Sequence, residues 1–548
     1  MKKIRPVIGL ILLAAPVAAQ HEHAAPREMP VALLPGMGSH HFAITTSSAE
    51  AQKFFDQGLT LMYGFNFPEA ARSFRKAAEL DPQAAMPHWG MALAIGPNYN
   101  DTPVTEERAR NTHDAITTAR KLATSATERE RAYIEALARR YSPEPAADRA
   151  ALQHAYSAAM RDVMRKFPDD MDAATLYAES LMMQRPWQLW TPDGAPAPGT
   201  EEIVATLESV LRREPNHVGA NHLYIHAVEA SRTPERALAN SERLKNLVTG
   251  PGAGHLVHMP GHIYLQLGEY EESAKTNERA AEGDREFIAR TNAAGEYTLM
   301  YYSHNLHFIA VSRMEQGRYT ESIREAERLV TNVRAAIPEM QMLEGWMPMP
   351  YFVQLRFQKW DEVLKHPEPP AVMKMTRALR RYARALAFIA KGDLERATAE
   401  RKEFEAARRD VPEEHIFTPN NPAAPALKLP LHIIDARMAQ ARHDWNTAVA
   451  HWREAVMAQD ALSYEEPPPW YFPAREALGV ALLRAGKLGE AEEVLRENLR
   501  RNPRNGRALF ALWQCLAAQK RPTEAALVEA QFRAAWKSAE VELRLEDL

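Results

Sequence analysis

The chain contains a single cysteine, Cys515, among its 548 residues. No internal disulfide can form, so stability has to come from packing. Glycine is scarce, at 24 residues, and no stretch sustains an alternation of apolar and polar positions, which argues against strands and leaves an Ala-, Glu- and Arg-rich helical chain. Neither sign of charge dominates: 67 Lys and Arg stand against 71 Asp and Glu, a formal net charge of −4. That excludes the basic stripe that nucleic acid demands. The basic runs from Arg377 to Arg384 and from Arg496 to Arg501 read as solvated helix faces. Beyond the N-terminus nothing reaches about 18 uninterrupted apolar residues, so no membrane span is expected. HExxH, a P-loop, a dinucleotide-binding glycine loop and GxSxG are all missing. Any catalysis therefore falls to a metal or to histidine acid–base work.

The N-terminus stands apart. MKKIRPVIGLILLAAPVAAQ carries Lys2, Lys3 and Arg5 ahead of an apolar run from Val7 to Ala19, the pattern of a signal peptide over residues 1–19. The expected product is periplasmic or secreted, without a lipid anchor because no cysteine follows the cut, and with a largely disordered leader over 20–47. His40 and His41 in that leader either fold across the mouth of a groove or stay exposed.

From residue 48 to 548 the chain repeats itself. AQKFFDQGLTLMYGFNFPEAARSFRKAAELDP places Gly58, Ala70, Phe74, Ala77 and Pro82 where paired helices touch and turn, and PAREALGVALLRAGKLGEAEEVLRENLRRNP puts Gly479, Ala491 and Pro503 at the same mutual distances. These segments resemble the tetratricopeptide repeat superfamily, and the chain as a whole resembles a group of exported bacterial proteins of that kind. The resemblance implies an all-α fold, a right-handed α-α superhelix of about twelve helical pairs, and no particular reaction. Four stretches interrupt the repeat: PNYNDTPVTEERARN after Gly96, Arg185 to Glu202 with Trp187 and Trp190, Val411 to Pro430, and Ser463 to Pro473. The first and third are expected to project from the edges and the last to pack, while the tryptophan loop is a candidate lid.

Histidine is concentrated in the section 217–307, where 8 of the 20 histidines lie. Three segments align on their closing small residues, Ala237, Ser273 and Ser322. His222, His258 and His307 then fall 15 residues before the mark, His226 and His262 fall 11 before it, and His255 and His304 fall 18 before it. Offsets that differ by three and four share a helix face, and an i, i+4 histidine pair is a chelating unit. The spacing predicts that His222, His226, His258, His262, His304 and His307 form a transition-metal centre on the concave surface, with His255 and Glu229 as further ligands or outer partners.

Copper or zinc suits such imidazoles best, and iron also fits. Glu179 is a second candidate carboxylate, and Met340, Met342, Met347 and Met349 are candidate thioether ligands or core filler. An open coordination position would give oxidative or hydrolytic chemistry on a small molecule; a closed one would mean metal handling. The competing reading is a scaffold whose groove binds a peptide or partner protein, with Trp187 and Trp190 in the contact surface. Pro260 puts the register of His255 and His258 at stake, since it kinks or starts a helix.

Overall fold

Successive antiparallel helix pairs stack from Ala49 to Ala535 in a computed structural model, which describes residues 29–144 and 146–548. Residues 1–19, expected as a signal peptide, lie outside the described residues. The first pair shows why the repeat residues are what they are. Ser48 caps helix Ala49–Tyr63 by accepting from Ala51 N, and Asn66 and Pro68 open helix Phe67–Leu80. A Cβ on Gly58 would lie 2.7 Å from the Phe74 ring and one on Gly90 would lie 2.5 Å from it, so Phe74 is sandwiched between two glycines on neighbouring helices. Gly479 plays the same part late in the chain, where a Cβ would meet Leu495 at 2.5 Å.

The architecture is the all-α superhelix that the repeats predict. Among the described residues the departures are a two-stranded hairpin, Ile416–Thr418 with Asn421–Pro422, and a lone bridge between Trp190 and Pro196. Both fall in insertions, where no helix partner fixes the backbone. No helix among the described residues is long and apolar enough to cross a membrane.

The superhelix turns back on itself within about two hundred residues. Asn66 Nδ2 donates to Gly252 O (3.0 Å), Gln266 Nε2 to Glu466 Oε1 (2.5 Å) and Tyr270 OH to Pro503 O (3.3 Å). Two apolar cores result, one running from Phe42 to Tyr301 and the other from Ala281 to Leu548. The histidine section lies at their junction.

Residues 29–47, expected as part of a disordered leader, are instead extended chain tied down by polar contacts. Leu34 N donates to Gln57 Oε1 (2.7 Å), Gly36 O accepts from Thr249 N (3.0 Å), Phe42 is buried, and Thr45 bonds the Glu130 carboxylate. They precede the first repeat and carry no helical periodicity, which suggested disorder. Side chains far away in sequence supply the partners that local composition does not reveal.

Candidate metal centre

Helix Val218–Val228 presents His222 and His226, and every residue in it is buried. It was expected to line an open groove with one face in solvent; instead the returning chain covers it on all sides. Helix Gly254–His258 carries His255 and His258, and Pro260 opens the next helix, Pro260–Gln266, with His262 in its first turn. The proline therefore divides the segment, yet all three histidines stay in the cluster. A π-helical turn, Tyr297–Tyr302, runs into helix Ser303–Glu315 and sets Tyr301 and His304 toward the same space. Wide turns of this kind recur at functional sites.

Close approach of the outer helix to these segments depends on glycine. A Cβ on Gly254 would lie 1.9 Å from Asp284 Oδ1, and one on Gly261 would lie 2.4 Å from Asn277 Nδ2. Asp284 and Asn277 both belong to helix Tyr270–Thr291. Asp284 accepts from Tyr297 OH and Asn305 Nδ2 (2.7 Å each), and burial nevertheless pushes its carboxyl up to about 7.

The histidines sort into two triads. His222, His226 and His255 bring one ring nitrogen each to within 4.8 Å of one another, and His258, His262 and His304 do the same. Each triad is an i, i+4 pair from one repeat plus the histidine 18 residues before the mark of the next, so one repeat step relates the two. His307 begins a third pair by its offset, but the position four residues on is Val311. It stands outside both triads, with Nε2 bonded to Tyr471 OH (2.8 Å).

Hydrogen bonds fix the Nδ1 side of four of the six rings. Asn277 Nδ2 donates to Ser273 O, so its Oδ1 must accept from His258 Nδ1–H (2.6 Å). His222 Nδ1–H donates to the Tyr63 carbonyl. Glu229 takes both remaining helix pairs: Oε1 accepts from His226 Nδ1–H (3.0 Å) and Oε2 from His262 Nδ1–H (2.6 Å). The Nε2 atoms of His222, His226 and His258 therefore point inward as lone pairs, and that of His262 points inward with them. Those of His222, His226 and His255 are buried with no hydrogen-bond partner among the described residues. His262 Nε2, on a ring that two carboxylates hold protonated, donates to His258 Nε2 at 2.7 Å. Anchored Nδ1–H groups and converging Nε2 atoms are what histidine ligation of a metal requires.

Electrostatics distinguish the triads. Burial, reinforced by neighbouring imidazoles, holds His222 and His255 well below the ordinary histidine range and also lowers His226, His258 and His304. Burial alone takes His307 down to about 3. His262 goes the other way: burial opposes its charge, but the Glu229 and Glu466 carboxylates override that and raise it to about 10. Glu466 Oε2 lies 3.0 Å from His262 Nδ1, the same nitrogen that Glu229 Oε2 holds at 2.6 Å.

A cavity of about 350 Å³ opens onto the centre. His226, His255, His262, His304 and His307 form one wall, Trp187 and Tyr301 flank it, and Trp346, Phe417 and Pro467 to Pro469 face it. Glu465 lines the cavity as well; its Oε1 accepts from Thr418 Oγ1 (2.8 Å) and Asn420 N (2.5 Å), and burial lifts it to about 7. The insertion from Val411, expected to project outward, and the Ser463 to Pro473 segment, expected only to pack, are thus cavity walls. In the tryptophan loop only Trp187 faces the site, its ring 5.4 Å from that of His226, while Trp190 Nε1 donates to Ala227 O.

The other candidates have other places. Met340 and Met342 line the cavity, whereas Met347 and Met349 are core residues. Glu179 is buried beside Arg140 and belongs to none of the ligand groups. His41 is exposed on Asp56. His40 and His217 flank Asp172 (3.1 and 3.3 Å), which also accepts from Tyr63 OH (2.6 Å). His217 Nδ1 caps its helix by accepting from Ala220 N, so its proton sits on Nε2 and bonds Asp172. That group ties down the leader, and although it too could hold an ion, both ring nitrogens of His217 are already engaged.

Sequence reading missed Glu466, Asn277 and the Tyr63 carbonyl. Adjacent carboxylates, Glu465 and Glu466, before three prolines in an aromatic insertion are the one local signal that marked any of them.

No protein-family model and no curated protein matches the chain. Among solved structures it is similar to a human IFIT1 dimer with m7Gppp-AAAA, at 12% identity over 90% of this chain and 91% of that one, with a TM-score of 0.32. It is also similar to the APC/C hetero-tetramer Cut9-Hcn1, at 12% identity over 91% of this chain and 75% of that one, with a TM-score of 0.31.

Proposed function

We propose that this protein is an exported helical-repeat metalloprotein whose buried histidine centre binds transition metal and acts on a small molecule held in the adjoining cavity. The observation that carries the reading is the convergence of three orphaned Nε2 atoms, from His222, His226 and His255. A buried acceptor without a donor costs about 1–3 kcal/mol, and a bound cation would satisfy all three at once. The cavity volume, about 350 Å³, falls in the small-molecule range and favours a compact substrate over a peptide laid along a groove. Glu465, half-buried at the cavity wall, is the group placed to exchange a proton with that substrate. Oxidative or hydrolytic chemistry then depends on the metal.

The test is elemental analysis of protein purified without a His tag, alongside a His222→Ala/His226→Ala variant. Stoichiometric copper, zinc or iron in the parent and a reduced content in the variant, at unchanged helicity by circular dichroism, is the expected result. A variant that keeps its full metal complement, or a parent that stays metal-free after loading, would sink the reading.

A further inference from the structure

Two triads related by one repeat step raise the question of how many ions they hold and of what charge. We infer that the centre takes a pair of copper ions, one in each three-histidine set, in the monovalent state. This rests on the metal reading above.

Number follows from geometry. Each triad supplies three imidazole nitrogens within 4.8 Å, enough for one ion. Merging the sets around a single ion is prevented by their anchors: Tyr63 O and Glu229 Oε1 hold His222 and His226, while Asn277 and Glu229 Oε2 hold His258 and His262. The sets still adjoin, since the His226 and His262 rings are 5.6 Å apart and those of His255 and His258 are 5.4 Å apart. Glu229 spans them, with one oxygen on a histidine of each.

Charge selects the ion. Once a metal has displaced the His262 proton, all six ligands are neutral imidazoles; Glu229 bonds two of them and Glu466 lies 3.0 Å from His262, both carboxyls buried. A buried site has to come close to neutrality, because uncompensated charge in a low-dielectric interior is costly. A monovalent ion in each three-histidine set adds the least charge to this interior. A divalent ion in each would add twice as much among Phe65, Phe308 and Tyr301, whose rings pack on His255, His258 and His262. Among the metals that imidazole favours, copper is the one with an ordinary monovalent state. The thioethers of Met340 and Met342 on the cavity wall are soft donors that favour the same ion.

The experiment is an anaerobic titration of tag-free, metal-free protein with Cu(I) delivered from a chromogenic Cu(I) chelator, repeated with Zn(II). The expected endpoint is two Cu(I) per chain, falling to one in His255→Ala and to one in His304→Ala, with Zn(II) displaced by Cu(I). His304→Gln and His255→Gln serve if an alanine variant does not fold, with helicity as the check. A parent endpoint of one Cu(I), or two Zn(II) that Cu(I) does not displace, overturns the inference while leaving a metal centre in place. Absence of any metal binding overturns the metal reading itself.

Discussion

Glu229→Gln tests the joint between the triads. In the parent each carboxylate oxygen accepts an Nδ1–H, from His226 at 3.0 Å and from His262 at 2.6 Å. Glutamine has one acceptor oxygen and one donating amide, so it can serve only one of the two rings as found. The other ring must turn away or move its proton to Nε2, and a protonated Nε2 cannot ligate. Loss of an outer partner typically weakens metal affinity about 10- to 100-fold, which is about 1.4–2.7 kcal/mol. Since Glu229 serves a histidine in each triad, both affinities should fall, and one site should fall to the upper end of that range. His262 is the more exposed to the change, because Glu229 is also a main source of its raised pKa. Chelator competition on tag-free protein measures both constants, and circular dichroism checks the helices. Two equivalents bound with parental affinity in the variant would refute the idea that Glu229 orients both histidines.

Further expectations follow from the same geometry. Burial keeps the His222, His226 and His255 rings neutral below the usual histidine range, so metal in the first triad should persist as pH falls through 6.5, contrary to what bare imidazole ligands imply. At the second triad, metal must displace a proton from His262 at any pH below about 10, so affinity there should rise with pH up to that value; calorimetry in buffers of different ionisation enthalpy should register the released proton, and none released at neutral pH would contradict the assignment. Gly254→Ala sets a methyl 1.9 Å from Asp284 Oδ1, which should shift the short helix that bears both His255 and His258 and weaken metal binding in both triads; full occupancy of both at parental affinity would argue against that coupling. Asp172→Ala strips the partner from buried Tyr63, His40 and His217 and should destabilise the fold by about 3–5 kcal/mol, read by urea unfolding; a loss under 1 kcal/mol would mean that the leader is held elsewhere.

Repeat architecture and the clustering of the histidines were legible because both depend on local periodicity. Gly58 and Phe74, or His222 and His226, meet within one helical pair. The partition into triads was visible in the offsets but assigned wrongly for His307, since the missing partner at Val311 matters only once the pairs are seen as units. What could not be read were contacts set by the superhelical return. Glu466 reaches His262 from some two hundred residues away, and Tyr63 supplies a backbone carbonyl, which leaves no trace in side-chain identity. The insertions seemed peripheral for the same reason: their apolar residues, Phe417 and Pro467 to Pro469, are explained by a wall that only the closed turn provides.

Ordinary solenoids resemble a zipper, in which each repeat leans only on its neighbours and ends can fray independently. The bonds from Asn66 to Gly252, Gln266 to Glu466 and Tyr270 to Pro503 join repeats that are far apart in the series. Opening any one turn therefore breaks contacts in another, and unfolding becomes a collective event. A ligand bound at the junction stabilises every turn that meets there in proportion to the logarithm of its concentration over its dissociation constant, so occupancy at the histidines sets the cooperativity of the whole array.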